Sequence, residues 1–109
     1  MAALIAFCTC PDRAQAESLA RALVERRLAA CVSLLTGVHS VYRWQGQVEQ
    51  AEEVQLLIKT TADAFPALQA AVLELHPYEL PELVAVEVAA GLAPYLAWIG
   101  ESTRPDVAS

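Results

Sequence analysis

Apolar and polar positions along the chain follow two rhythms, and the changes between them mark out the elements. The stretch ALIAFCT (residues 3–9) is apolar almost throughout and is cut short by Pro11, which predicts a strand covered on both faces. Downstream, Ala16, Leu19, Ala20, Leu23, Val24 and Leu28 recur at helical spacing, with Glu17, Arg21 and Glu25 on other faces. A first helix is therefore expected, with Pro11 at its first position and Asp12 at the positive end of its dipole. ACVSLLT (30–36) predicts a second strand, ended by a bend or bulge at Gly37. VYRWQGQVEQAEEVQLLIKT (41–60) predicts a β-hairpin that turns near Gln45, Gly46 and Gln47. DAFPALQAAVLEL predicts a second helix with Phe65, Leu68, Val72 and Leu75 as its buried stripe and Pro66 in its first turn. LVAVEVAA (83–90) predicts a fourth strand, and APYLAWI a short closing helix.

The order β-α-β-β-α-β plus a terminal helix predicts an α+β fold of the ferredoxin-like, split β-α-β type. Its sheet is antiparallel, with the first strand between the third and the fourth. Residues 1–103 are expected to form one domain and 104–109 a frayed tail. If strand one runs up, helix two also runs up and strand four begins at the top. The end of strand one, with Cys8, Thr9 and Cys10, is then brought beside the joint His76-Pro77-Tyr78, and the hairpin tip near Trp44 points the same way.

Composition narrows the function classes. The chain has 109 residues, of which 56% are hydrophobic, and its mean hydropathy of +0.38 is high for one small domain. Some of that apolar surface is expected to be covered by other subunits. The net charge is −6, with seven Lys and Arg against 13 Asp and Glu and no basic run, which argues against nucleic acid and against an anionic membrane surface. No apolar run approaches the roughly 20 residues of a transmembrane helix. MAALIAFCTC lacks the basic flank of a signal peptide and reads as a mature first strand of a cytoplasmic protein. Three cysteines, an odd number, fit free thiols in a reducing compartment better than a disulfide framework.

Candidate chemistry concentrates in LHPYELPE (75–82). Pro77 pushes His76 into an extended conformation, so helix two must end there, and Pro81 restrains Leu80 in the same way. An imidazole capping the last helix carbonyls is one reading of His76; a metal ligand beside Cys8 is the other. A thiol and an imidazole suit copper or zinc and disfavour magnesium and calcium. Cys8 and Cys10 fall on one face of a strand, near a helix start whose dipole favours thiolate. Cys10 and Cys31 are assigned to the core, and His39 to a solvated strand or bend. No Ser-His-Asp order, G-x-G-x-x-G or P-loop is present, and nothing supplies an orienting group for a Cys8–His76 nucleophilic pair, so catalysis is not expected.

The motifs FCTCPD, LAACVSLL, VYRWQGQVEQAEEVQLLIKTT, LHPYELPELVAV and YLAWI closely resemble the CutA divalent-cation tolerance family, over about Ala3 to Thr103. The resemblance implies a ferredoxin-like fold and tight homotrimers built like the PII nitrogen-regulatory proteins, with long hairpins wrapping from one subunit to the next. It implies tolerance of copper and other divalent ions, and metal contacts at Cys8 and His76. Leu75 stands where some relatives carry another histidine, and Ala71 where some carry a cysteine. Tyr42, Trp44, Lys59, Tyr78, Glu82 and Tyr95 are candidates to line a cleft between subunits. Two other functions fit such a trimer: a PII-like sensor that binds a small molecule in those clefts, and a structural assembly platform. Metal capture would need neutral imidazole and thiolate, and should weaken as pH falls through about 6.5, the reference histidine value.

Overall fold

A computed structural model of the chain describes residues 2–105; of the frayed tail expected over 104–109, residues 106–109 lie outside the described residues. The elements run β1 (Ala3–Cys10), α1 (Arg13–Glu25), β2 (Cys31–Trp44), β3 (Gln47–Thr61), α2 (Phe65–Leu75), β4 (Val84–Glu87) and α3 (Ala93–Ser102). They build one four-stranded antiparallel sheet in the order β2-β3-β1-β4, so β1 lies between the third and fourth strands as the element order required.

Alternation along the central strands makes one sheet face the core. Ala6, Cys8 and Cys10 of β1 and Leu56, Ile58 and Thr60 of β3 are completely buried, and they pack against Ala16, Leu19 and Leu23 of α1 and Leu68, Ala71 and Val72 of α2. Two positions expected in the helical stripes, Val24 and Leu75, are instead exposed, each in the last turn of its helix. Helix α1 begins two residues later than the pattern predicted. Asp12 is the extended residue that caps it, its Oδ1 accepting the Gln15 N–H at 2.8 Å, and Pro11 lies outside the helix. The helix ends through Arg27 in the left-handed region (φ 60°), with the Leu28 N–H bonded to the Leu23 carbonyl at 2.9 Å.

The separate second strand and hairpin arm expected from the pattern form one strand, β2. Its pairing with β3 shifts register between Leu35 and Val38, where Gly37 has φ +78°, so the bulge expected there bends the strand without ending it. The turn itself lies at Gln45 (φ 51°) and Gly46 (φ 80°), the two left-handed positions of a tight hairpin. Strand β4 is shorter than the 83–90 predicted: its pairing with β1 runs from Val84 opposite Phe7 to Glu87 opposite Leu4, and the Val88 N–H bonds the Ala3 carbonyl just beyond.

The hairpin outruns the rest of the sheet. Pairing of β3 with β1 begins at Val54 opposite Cys10, so Gln47 to Glu53 pair with β2 alone. At about 3.4 Å per residue those seven positions carry a two-stranded arm roughly 24 Å beyond the end of β1. It leaves the sheet at the edge where β1 ends.

Candidate metal centre

Two local rules bring the site together. In β1, Cys8 and Cys10 are two residues apart and so project on the same face, under the helices. At the end of α2, Pro77 holds His76 extended (φ −79°, ψ 139°), while its backbone N–H closes the helix onto the Val72 carbonyl at 2.9 Å. The backbone therefore performs the capping, and the ring is free to reach β1. One ligand atom from each of Cys8, Cys10 and His76 lies within 4.8 Å of the others, and all three residues are buried. Cys10, assigned to the core from sequence, is buried as expected but also stands beside the imidazole, with Sγ 3.7 Å from Nε2.

The hydrogen bonds define the imidazole's tautomer. Nε2 lies 2.7 Å from the Thr9 carbonyl oxygen, which can only accept, so Nε2 carries the hydrogen. Nδ1 in turn accepts the Tyr78 backbone N–H at 3.1 Å. The Tyr78 ring lies 4.8 Å from the His76 ring and its hydroxyl donates to Glu53 Oε2 at 2.7 Å, across to β3. Burial, and then the Glu53 hydrogen bond, push the Tyr78 phenol above its ordinary range. The connector is also tied to β3 by Gln55 Nε2, which donates to Glu82 Oε2 at 3.4 Å.

The thiols separate in acidity. The hydrogen bond from Cys8 lowers Cys10, against the opposing effects of burial and of Asp12 and Glu53. Cys8 is raised, first by holding its proton toward Cys10, then by burial and by the negative charges of Cys10, Glu82 and Glu53. The cause is thus the mutual hydrogen bond of the pair, where the sequence had pointed to the helix dipole. Two cysteine sulfurs and one imidazole at this spacing are soft and borderline donors, a set that suits copper or zinc.

Comparison with known proteins gives this geometry a family. Residues 4–102 match the family model described as CutA1 divalent ion tolerance protein. The chain belongs to the CutA1 family. It is 48% identical over 99 residues to the divalent-cation tolerance protein CutA of Thermus thermophilus, covering 91% of this chain and 96% of that one. It is 46% identical to the human protein CutA over 99 residues, but spans only 55% of that longer chain. Among solved structures, CutA from Xylella fastidiosa superposes with a TM-score of 0.91 at 49% identity, over 94% of this chain and 98% of the other.

The residues expected to line a cleft between subunits fall in three places. Tyr78 and Glu82 are on the connector over the thiols. Tyr42 and Trp44 are exposed near the hairpin tip, Tyr42 opposite Glu49 and Trp44 opposite Gln47. Lys59 lies at the other end of the sheet, its Nζ 5.8 Å from the centre of the Tyr95 ring, which packs against Trp98 at 5.3 Å. The six therefore do not form one cluster within a single chain. Cys31 also lies at that far end, opposite Lys59, and is only partly buried. His39 is exposed on the hairpin, its Nε2 2.9 Å from Gln50 Oε1. Glu53 is the functional-looking residue that sequence reasoning missed. It is a carboxylate almost buried against the connector, and its alternation with Val54 in a run of polar residues gave no sign of it.

Proposed function

We propose that the chain acts in metal tolerance by binding copper or a related divalent ion at the end of β1, with Cys8 and His76 as ligands and Cys10 completing the group. The observation that carries this reading is the convergence of two buried thiols and an imidazole from segments 66 residues apart. Copper binds such donors more tightly than zinc. To hold an ion through Nε2, His76 would have to give up the hydrogen it now donates to the Thr9 carbonyl, and a neutral ring would then carry its hydrogen on Nδ1, which now accepts the Tyr78 N–H. Because the ligands bind as thiolate and unprotonated nitrogen, acid weakens capture.

The working form in this proposal is a cytoplasmic homotrimer. Free buried thiols fit a reducing compartment. The hairpin arm is two-stranded and exposes Val41, Trp44 and Val48, and a lone hairpin is marginal in water. Packing it on neighbouring subunits in a closed ring covers those side chains. Calorimetric titration with copper tests the site: Cys8→Ser and His76→Ala should each reduce binding, and His39→Ala should not. Equal copper binding by the wild type and the Cys8→Ser, His76→Ala double variant, with assembly intact, would refute it.

A further inference from the structure

The two faces of the sheet are covered unequally. Helices α1 and α2 seal one face, on which Leu56, Ile58 and Thr60 of β3 lie, and Leu57 and Lys59 alternate to the other. On that second face the strand pairing sets Lys59, Ile5 and Val86 in one row, with Leu57, Phe7 and Val84 in the next. Helix α3 reaches this face where β1 begins: Tyr95 stands over Lys59, and Thr103 Oγ1 lies 3.4 Å from the hydroxyl of Thr61, which pairs with Ala3. Beyond the helix the face is open, with Val84 and Val86 more than half exposed.

Lys59 is the only lysine of the chain, and it stands apart from the other charges. Its ammonium makes no ion pair or hydrogen bond among the described residues, although the chain carries 13 Asp and Glu and a net charge of −6. It meets the Tyr95 ring at 5.8 Å from the centre, near the outer limit of about 6 Å for a cation–π contact. The side chain is partly buried between Ile5 and Cys31 on the neighbouring strands, where apolar surroundings leave a positive charge short of both water and counter-ion. Beside it, Tyr95 and Trp98 pack with ring centres 5.3 Å apart and leave Trp98 44% exposed. An unpaired cation, an apolar floor and an exposed aromatic wall complement one kind of molecule, a single negative charge on a flat apolar body.

We infer that this face binds an aromatic monocarboxylate, with the carboxylate on Lys59 Nζ and the ring against Tyr95 and Trp98. The inference is independent of the metal-binding reading, because Lys59 lies on the opposite sheet face from Cys8. Specificity follows from the count of charges. One ammonium balances one carboxylate, whereas a phosphate dianion would keep an uncompensated charge on a chain that is already acidic.

The test uses the full chain as it assembles in solution, titrated by calorimetry with 2-naphthoate, with the neutral 2-naphthamide and with inorganic phosphate. The expected result is one saturable naphthoate site per chain, on the order of tenfold tighter than the amide, and no phosphate binding. Lys59→Gln should lower naphthoate affinity by about tenfold and leave the amide unchanged, and Lys59→Arg should keep most of the affinity. Trp98→Ala should weaken both ligands, and a thermal melt checks that each variant is folded. Equal affinity for naphthoate and amide, unchanged naphthoate affinity in folded Lys59→Gln, or no saturation at all would overturn the inference. So would a Lys59→Gln chain that sediments at a lower mass than the wild type, since Lys59 would then pair with a carboxylate of a second copy. The naphthoate-to-amide ratio of the wild type decides the case even where a variant does not fold.

Discussion

The two ends of β3 live under opposite conditions. From Val54 to Thr61 the strand pairs with β1, and from Gln55 to Lys59 with β2 as well, and Leu56, Ile58 and Thr60 are sealed under the helices. From Gln47 to Glu53 it has one partner strand, and Val48 is 65% exposed. The inner half is complete within one chain. The outer half is mostly polar, but it leaves Val48 uncovered within the chain. Stability of one chain and any contact between copies would therefore draw on different halves of one strand, and substitutions can separate them.

The largest effect is expected inside. Leu56→Ala or Ile58→Ala removes a fully buried side chain and should cost about 2–5 kcal/mol, read as a lowered denaturant midpoint with the slope unchanged. If Val48→Ala costs as much in a dilute, dissociated sample, the contrast between the two halves fails. Thr60→Val should come next. Its buried hydroxyl donates to the Leu28 carbonyl at 2.7 Å and pins the exit of α1 to the sheet, so its loss should cost about 1–3 kcal/mol by the same measurement.

On the outer half, Val48→Asp should leave the fold of a chain intact but shift sedimentation toward a single-chain mass. An unchanged mass would mean that the exposed arm is not an interface. A smaller change, about 1 kcal/mol, is expected for Asp12→Ala, which frees the Gln15 N–H at the start of α1. Breaking the exposed Arg13–Glu17 pair, 2.9 Å apart, should change the melting curve least, by about 0.5 kcal/mol or less.

Much of this was legible in the sequence because it follows from local periodicity. Alternation placed β1 and the inner half of β3, Gly37 and Gly46 marked the bulge and the turn, and Pro77 forced His76 out of the helix. The chain order then dictated that Cys8 and His76 meet. Three features escaped. Val24 and Leu75 keep the helical period, yet both are exposed in the last turn of a helix, and spacing alone does not say where a buried stripe stops. Cys10 read as core since burial and ligation place the same demand on a strand, an inward-facing thiol. Glu53 was hidden because its partner, the Tyr78 hydroxyl, is 25 residues away in the chain.

The two-residue spacing of the thiols on a strand with neighbours on both sides bears on how such a site can arise. A related chain with another small residue at the position of Cys10 could acquire the second thiol by a single codon change, with every backbone bond in place. Loss or gain of one residue between Cys8 and Cys10 is a different event. It would turn one thiol to the opposite sheet face and slide half of β1 against both β3 and β4. The pleat thus leaves the chemistry of this site open to change by substitution and closes it to change by insertion or deletion.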